Sequence, residues 1–213
     1  MLGSQTREQS ADTDAIRRCQ QGDISGLGLL VASYQVPAVR LAYLLTGDNE
    51  LASDIVQDSF LLAYRGIKRF HLGEPFAPWF YRIVTNTARQ RRRSARARRE
   101  VSLDALAPQA DFQPEGGLVF ATSRSDPVER AEAGETRDAL LSALATLPHK
   151  QREAIALRYY FGYADLEIAS VLGCRLGAVQ QRLHAGRASL QKAIRQRYPW
   201  LLSAGSLPSS PDV

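Results

Sequence analysis

A chain of 213 residues, 45% hydrophobic and 23% charged, can fill one domain or two small ones, and no apolar run in it reads as long enough to span a membrane. The net charge of +5 is unevenly spread: residues 27–99 carry +7 and residues 137–197 carry +6, with −6 over residues 100–136 between them. Two basic blocks around an acidic one predict two nucleic-acid-facing domains joined by a segment with a different task.

In chain order, residues 1–22 are polar, with no apolar stretch of the kind a signal peptide carries, so the expected setting is the cytosol. A short helix is expected at Asp14 to Gln20, within a polar N-terminal arm over 1–24. Leu27, Leu30, Val31, Tyr34, Ala38, Leu41 and Leu45 then repeat on a helical period, and Pro37 inside that pattern predicts a kink or a break. After the turn Thr46-Gly47-Asp48-Asn49, a helix over 50–69 has two faces. Leu51, Ile55, Ser59 and Leu62 suit a core, with Ala52, Val56 and Ala63 beside them. Asp54, Gln57, Asp58 and Leu61 form an acidic ridge that reads either as solvated surface or as a protein-docking site.

A loop over 71–75 leads into PFAPWFYRIVTNTARQRRRSARARR. Here Phe76, Trp79, Phe80, Ile83, Val84 and Thr87 make an apolar stripe, and Arg82, Asn86, Arg89 and Arg93 share the opposite face. Trp79 is expected to anchor the core and Arg89 to be dispensable for folding. Aromatic residues, an asparagine and a dense arginine run suit phosphate and base contacts, and equally a core helix ending in a solvated basic tail. Residues 100–135, acidic and punctuated by Pro108, Pro114, Gly116, Gly117 and Pro127, read as a flexible linker, in which Leu118 to Phe120 either docks or does not.

Helices resume near Thr136. Leu140, Leu141, Leu144 and Leu147 precede Pro148, which suits the first position of a second helix carrying Ile155, Leu157, Tyr159 and Tyr160 and ending near Gly162. A helix-turn-helix pattern follows: Leu166, Ile168, Ala169 and Leu172, the turn Gly173-Cys174-Arg175, and a helix from Leu176 to Leu190. Val179 and Leu183 would pack inward, leaving Gln180, Gln181, His184 and Ala185 outward where such a helix meets base edges. Arg182, Arg187 and the helix start at Gly177 and Ala178 would grip phosphates. Such pairs also occur as plain packing; the basic flanks favour DNA. The tail over 198–213 carries Trp200, Leu201 and Leu202, which either fold back or do nothing.

The fold class is therefore all-α. Cys19 and Cys174 with His71, His149 and His184 form no metal or thiol motif, and no nucleophile–base pair or P-loop is visible, so neither an enzyme nor a cofactor is expected.

DIVQDSFLLAYRGIKRF (54–70), WFYRIVTN (79–86) and LPHKQREAIALRYYFGYADLEIASVLG (147–173) resemble, in order and spacing, bacterial RNA polymerase sigma factors of the extracytoplasmic-function class. The resemblance implies two small helical domains, region 2 over 25–99 and region 4 over 136–197, joined by the linker. It implies that Asp54, Gln57, Asp58 and Leu61 dock on the clamp coiled coil of the polymerase β′ subunit. His71, Phe76, Arg82, Asn86, Arg89 and Arg93 would read and melt the −10 element as single strand. Gly177, Ala178, Gln180, Gln181, Arg182, His184 and Arg187 would read the −35 duplex, with region 4 on the β flap. An anti-sigma factor is a further implied partner. This chain departs from the family pattern at Gln90, Cys174, Arg175, Gln180, Gln181 and Ala185, which puts an inherited promoter sequence in doubt. The competing reading is a stand-alone helix-turn-helix regulator.

Overall fold

Helices dominate the computed structural model, which describes residues 2–101 and 127–203, and side chains over 10–95 and 134–201. Among the described residues the extended pairing is a lone bridge between Leu72 and Glu74. The segment over 102–126, with Leu118 to Phe120, lies outside them.

The N-terminal stretch is a longer helix than its polarity suggests. α1 runs Leu2–Gln20 and buries Ala15, Ile16 and Cys19, a narrow stripe of small side chains. Its end is tied down by Gln20, whose amide donates to the carbonyls of Ile67 and Phe70 at 3.0 and 2.9 Å. The Asp12 carboxylate accepts from the Tyr34 hydroxyl at 2.5 Å. A side chain at Gly26 would collide with the Ala15 carbonyl and Cys19, so the crossing of α1 with the next helix depends on that glycine.

α2 spans Ser25–Thr46 and buries Leu30, Ala38 and Leu41 to Leu45. Of the kink or break expected at Pro37, the break does not occur, since α2 continues through it. The carbonyl left without its helical partner is that of Ser33, on an exposed face where water can serve it. At 22 residues and mean hydropathy 1.3, α2 is long and apolar enough to cross a membrane by length and composition, which corrects the reading of the sequence. Here it is the central helix of a bundle, packed against α1 and the helices that follow.

α3, Asn49–Gly66, starts at Asp48, whose carboxylate accepts from the Leu51 N–H at 2.9 Å. It buries Ala52, Ile55, Val56, Ser59, Phe60 and Ala63, while Leu62 of the expected core face is exposed. A 3-10 turn over Ile67–Arg69 and the loop then lead to α4, Phe76–Val101. Phe76, Phe80, Tyr81, Val84, Thr85, Thr87 and Ala88 are buried, with Trp79 only half-buried over Gly66 and Phe70.

The second domain comprises α5 Pro127–Ala145, α6 His149–Ile155, α7 Asp165–Leu172, α8 Leu176–Arg197 and a short α9 Trp200–Ser203. Pro148 caps α6 rather than opening it, and α6 widens into a π turn over Ala156–Tyr160 that leaves Tyr159 and Tyr160 exposed. Leu140 and Leu166, both expected inside, are exposed as well. Of the tail, Leu201 packs against Ala143, Ala193 and Ile194.

The two domains do not stand apart. One apolar core runs from Ala15 through Ala88 and on through Leu141 to Leu183. Arg152 of α6, buried, donates to the carbonyls of Leu144, Ala145 and Leu147 at the end of α5 and also to Leu45 of α2 at 3.2 Å. The Phe161 ring lies 4.8 Å from that of Tyr81.

Candidate nucleic-acid interface

The arginine-bearing face of α4 follows from its helical period: Arg82, Asn86, Arg89 and Arg93 recur every three or four residues. Arg93 and Asn86 are exposed. Arg89 is not: its guanidinium makes a two-pronged ion pair with Glu153 of α6 at 2.7 and 2.6 Å, and Glu153 is 3% exposed at its side chain. The third guanidinium nitrogen of Arg89 donates to the Asn86 side-chain oxygen at 3.2 Å, and the Leu172 carbonyl lies 3.5 Å from it. The Glu153 bonds hold the Arg89 guanidinium still more firmly protonated. Arg82 is exposed and passes Gly173 at ordinary contact distance, an added Cβ there standing 3.4 Å from its terminal nitrogen. The sequence places these cations in solvent; the structure leaves Arg82 and Arg93 exposed and turns Arg89 toward Glu153 and the end of α7.

The loop before α4 splits the predicted −10 residues. His71 and Leu72 are exposed, whereas Phe76 is buried and stacks on Phe80 with ring centroids 5.6 Å apart. Phe76 is thus a core aromatic, and the expectation that it touches a base is corrected. Its position explains this: it is the first residue of α4, and the stripe that begins with it faces Tyr34 and Phe70.

On α3 the predicted ridge is solvent-facing. Asp54 and Gln57 are exposed, Leu61 is 54% exposed, and Asp58 pairs with Arg91 of α4. Asp58, Leu61, Leu62, Arg65, Gln90 and Arg91 line a shallow groove between α3 and α4. Leu62, missing from the core, is therefore part of this surface.

The α7–α8 turn forms as its residues require. Gly173 adopts φ +61°, the Cys174 N–H reaches back to the Ala169 carbonyl at 3.1 Å, and α8 begins after Arg175. Val179 and Leu183 are buried; Gln180, Gln181, His184 and Arg187 are exposed, and Ala185 is half-exposed. Gly177 lies open at the helix start, but the Ala178 N–H is turned onto the Arg175 carbonyl at 2.9 Å, so it is not a donor for phosphate. Arg182 is half-buried, its guanidinium 3.3 Å from the Cys174 sulfur. Arg175, outside the predicted set, stands exposed at the mouth of α8.

Reading the sequence missed Glu153, Arg152 and Tyr81. Glu153 is the one acid between Lys150 and Arg158, a signal that was present but has no partner within reach along its own helix. Burial raises the hydroxyl pKa of Tyr34, Tyr81 and Tyr163 well above the usual range, so this cluster stays neutral beside the interdomain contact. His149 is half-buried at the same seam, and burial, then Arg92, hold its imidazole below the ordinary value.

Comparison with known proteins accounts for both domains. Residues 30–98 match the family described as Sigma-70 region 2 and residues 137–190 match Sigma-70, region 4. The chain is 33% identical over 190 residues to the ECF RNA polymerase sigma-E factor of Salmonella typhimurium, covering 88% of this chain and 96% of that one. It is 32% identical over 188 residues to the RNA polymerase sigma-H factor of Pseudomonas aeruginosa, covering 88% and 95%. The fold resembles that of CnrH solved with the cytosolic domain of CnrY (TM-score 0.61, 24% identity, 88% of this chain and 99% of that one). It also resembles the sigma factor RpoE solved with the anti-sigma factor NepR from Bartonella quintana (TM-score 0.59, 25% identity, 76% and 92%). The chain belongs to the sigma-70 family, as an RNA polymerase sigma factor of the extracytoplasmic-function class.

Proposed function

We propose that this sigma factor divides its work among three surfaces, each on a separate helix. The ridge Asp54, Gln57, Asp58 and Leu61 of α3 docks on the clamp coiled coil of the polymerase β′ subunit. The α4 face of Arg82, Asn86, Arg89 and Arg93, with His71 in the preceding loop, holds the opened non-template strand at −10. Gln180, Gln181, His184, Arg187 and the Gly177 end of α8 read the −35 duplex, with region 4 resting on the β flap. Region 2 is taken as 25–99 with α1 packed on it, and region 4 as 136–197, with the acidic segment 100–135 between. No chemistry of the chain's own is needed for this role, and the place of action is the cytoplasm, where polymerase and promoter meet.

The observation that carries the reading is α8: its apolar pair Val179 and Leu183 is buried while Gln180, Gln181, His184 and Arg187 stand exposed, as a helix that enters a major groove requires. The solved complex of the Bartonella quintana relative with NepR supports an anti-sigma factor as a further partner. The test is gel filtration of the purified chain with core RNA polymerase. Co-elution is expected, and loss of it on combining Asp58→Arg with Gln57→Ala, since like charges meeting at an interface cost several kcal/mol, about a hundredfold or more in affinity. A wild-type chain that elutes apart from the polymerase sinks the proposal.

A further inference from the structure

We propose that Gln20 of α1 positions the loop over 71–75, and with it His71, for reading the opened strand at −10. This role rests on the reading of that loop and α4 as the −10 surface, and it gives the N-terminal helix a part in promoter choice.

The loop does not set its own direction. All five of its residues are exposed. Within it the Glu74 N–H donates to the His71 carbonyl at 3.2 Å and Leu72 bridges to Glu74, around Gly73 at φ +109°. Such bonds keep the shape of a short turn, while its two ends decide where it points. The far end is set by Phe76, buried and stacked on Phe80. The near end is the 3-10 turn Ile67–Arg69 followed by Phe70, and α1 packs against it.

Gln20 is half-buried, and its amide nitrogen donates to the carbonyls of Ile67 and Phe70 at 3.0 and 2.9 Å. That nitrogen carries two hydrogens, one for each carbonyl. The Phe70 carbonyl and the His71 N–H belong to one planar peptide, so a bond that fixes the first fixes the plane from which His71 departs. The Ile67 carbonyl also accepts from the Phe70 N–H at 3.0 Å, so Gln20 spans the whole turn. The base of the glutamine is itself held. Cys19 beside it is buried, α1 crosses α2 where Gly26 leaves no room for a side chain, and Asp23 accepts from the Ser25 N–H and hydroxyl at 2.9 and 2.7 Å.

The two carbonyls ask for this residue type. Glutamate would turn lone pairs toward them, methionine of similar length donates nothing, and asparagine is one methylene short. Ala15, Ile16 and Cys19 already give α1 its apolar contact; what Gln20 adds is the direction of the loop. α1 also precedes the residues matched to Sigma-70 region 2, which begin at residue 30.

The experiment uses holoenzyme assembled from core RNA polymerase and the full chain, on templates randomised at −10 and −35. Wild type first selects its preferred template. Heparin-resistant complexes are then measured on that template and on single-base changes at −10 and at −35. Ratios between templates are compared, so a smaller amount of active protein cancels. Gln20→Met and Gln20→Glu are each expected to lower the −10 ratio about tenfold, on the scale of one hydrogen bond to a base, and to leave the −35 ratio unchanged. Ile16→Val, which trims the packing of α1 and keeps both bonds, is expected to lower the urea midpoint and move neither ratio. If circular dichroism finds Gln20→Met and Gln20→Glu unfolded, Gln20→Asn is read in their place. A wild-type −10 ratio in the Gln20 variants, with His71→Ala lowering it, overturns the positioning role alone. An equal fall of both ratios overturns it as well, because the loss is then general. A −10 ratio unmoved by His71→Ala and Asn86→Ala retires the reading of the −10 surface, and this role with it.

Discussion

Removing the Arg89 side chain leaves Glu153, at 3% exposure, charged and without its partner. Breaking one half of a buried ion pair typically costs about 3–5 kcal/mol. Here the cost is capped by the free energy of separating the two domains, since an opened chain returns Glu153 to water. From sequence, Arg89 is expected to matter for DNA alone; the structure gives it a second role in packing. The core anchor also moves by one residue. Phe80 is fully buried, stacked on Phe76 and 4.5 Å from the Phe60 ring, while Trp79 lies half-exposed at the edge. Phe80→Ala should lower stability by about 3–5 kcal/mol and Trp79→Ala by clearly less. Urea denaturation of both variants checks this, and an equal or larger loss at Trp79 would place the anchor where the sequence suggested.

Among the elements, α8 is the one on which the proposed −35 contacts are expected to differ from the family pattern, at Gln180, Gln181 and Ala185. A glutamine amide can pair with both the N6 and N7 edge positions of adenine, whereas arginine prefers guanine and attracts any phosphate. With Gln180 and Gln181 exposed and Ala185 short, base readout at −35 is expected to favour A·T pairs. Arg187 and Arg175 flank this patch on the exposed surface and suit phosphates. Gln181→Ala should cost about 1–3 kcal/mol on the preferred site and little elsewhere. Selection from a randomised −35 duplex library by wild type and variant measures this; a uniform loss on every sequence would make Gln181 a backbone contact. α1 shows the opposite case, an element whose sequence barely announces it. Among its described side chains, Ala15, Ile16 and Cys19 are buried, and Gln20 and Asp12 hydrogen-bond to the rest of the bundle.

For the molecule as a whole, the seam between the domains carries a pH dependence. His149 of α6 is faced by Arg92 and Arg89 from α4 and by Glu153 and Lys150 on its own helix; burial first and Arg92 next depress its pKa, against Glu153. The neutral imidazole is thus the form the packed chain accommodates. Below the ordinary value of about 6.5, the unfolded chain takes up a proton that the folded one resists. The contribution of His149 to stability is therefore complete above that pH and is lost as pH falls through the window beneath it. Urea midpoints at about pH 7.5 and about pH 5.5 should differ less in His149→Gln than in wild type. An identical drop in both would show that acidification acts elsewhere.

Helix periodicity, the glycine turn between α7 and α8, the exposed amide face of α8 and the alternation of basic and acidic blocks were all legible in the sequence. Each is a local property: a stripe is set by 3.6 residues per turn, and a left-handed turn by the one residue without a side chain. Local pattern misplaced Leu62, and the resemblance, not the pattern, misplaced Phe76. Leu62 fits a stripe equally well facing in or out until a neighbouring helix decides, and Pro37 breaks a helix only where the freed carbonyl cannot be served. What only the tertiary structure decided is which distant groups meet. Gln20 finds a carbonyl 47 residues away, Arg89 finds Glu153 at a separation of 64, and Arg152 reaches Leu45 across 107. No spacing in one chain encodes such pairs, because each depends on how two independently formed helices come to rest against each other, and here that choice turns Arg89 of α4 onto Glu153 of α6.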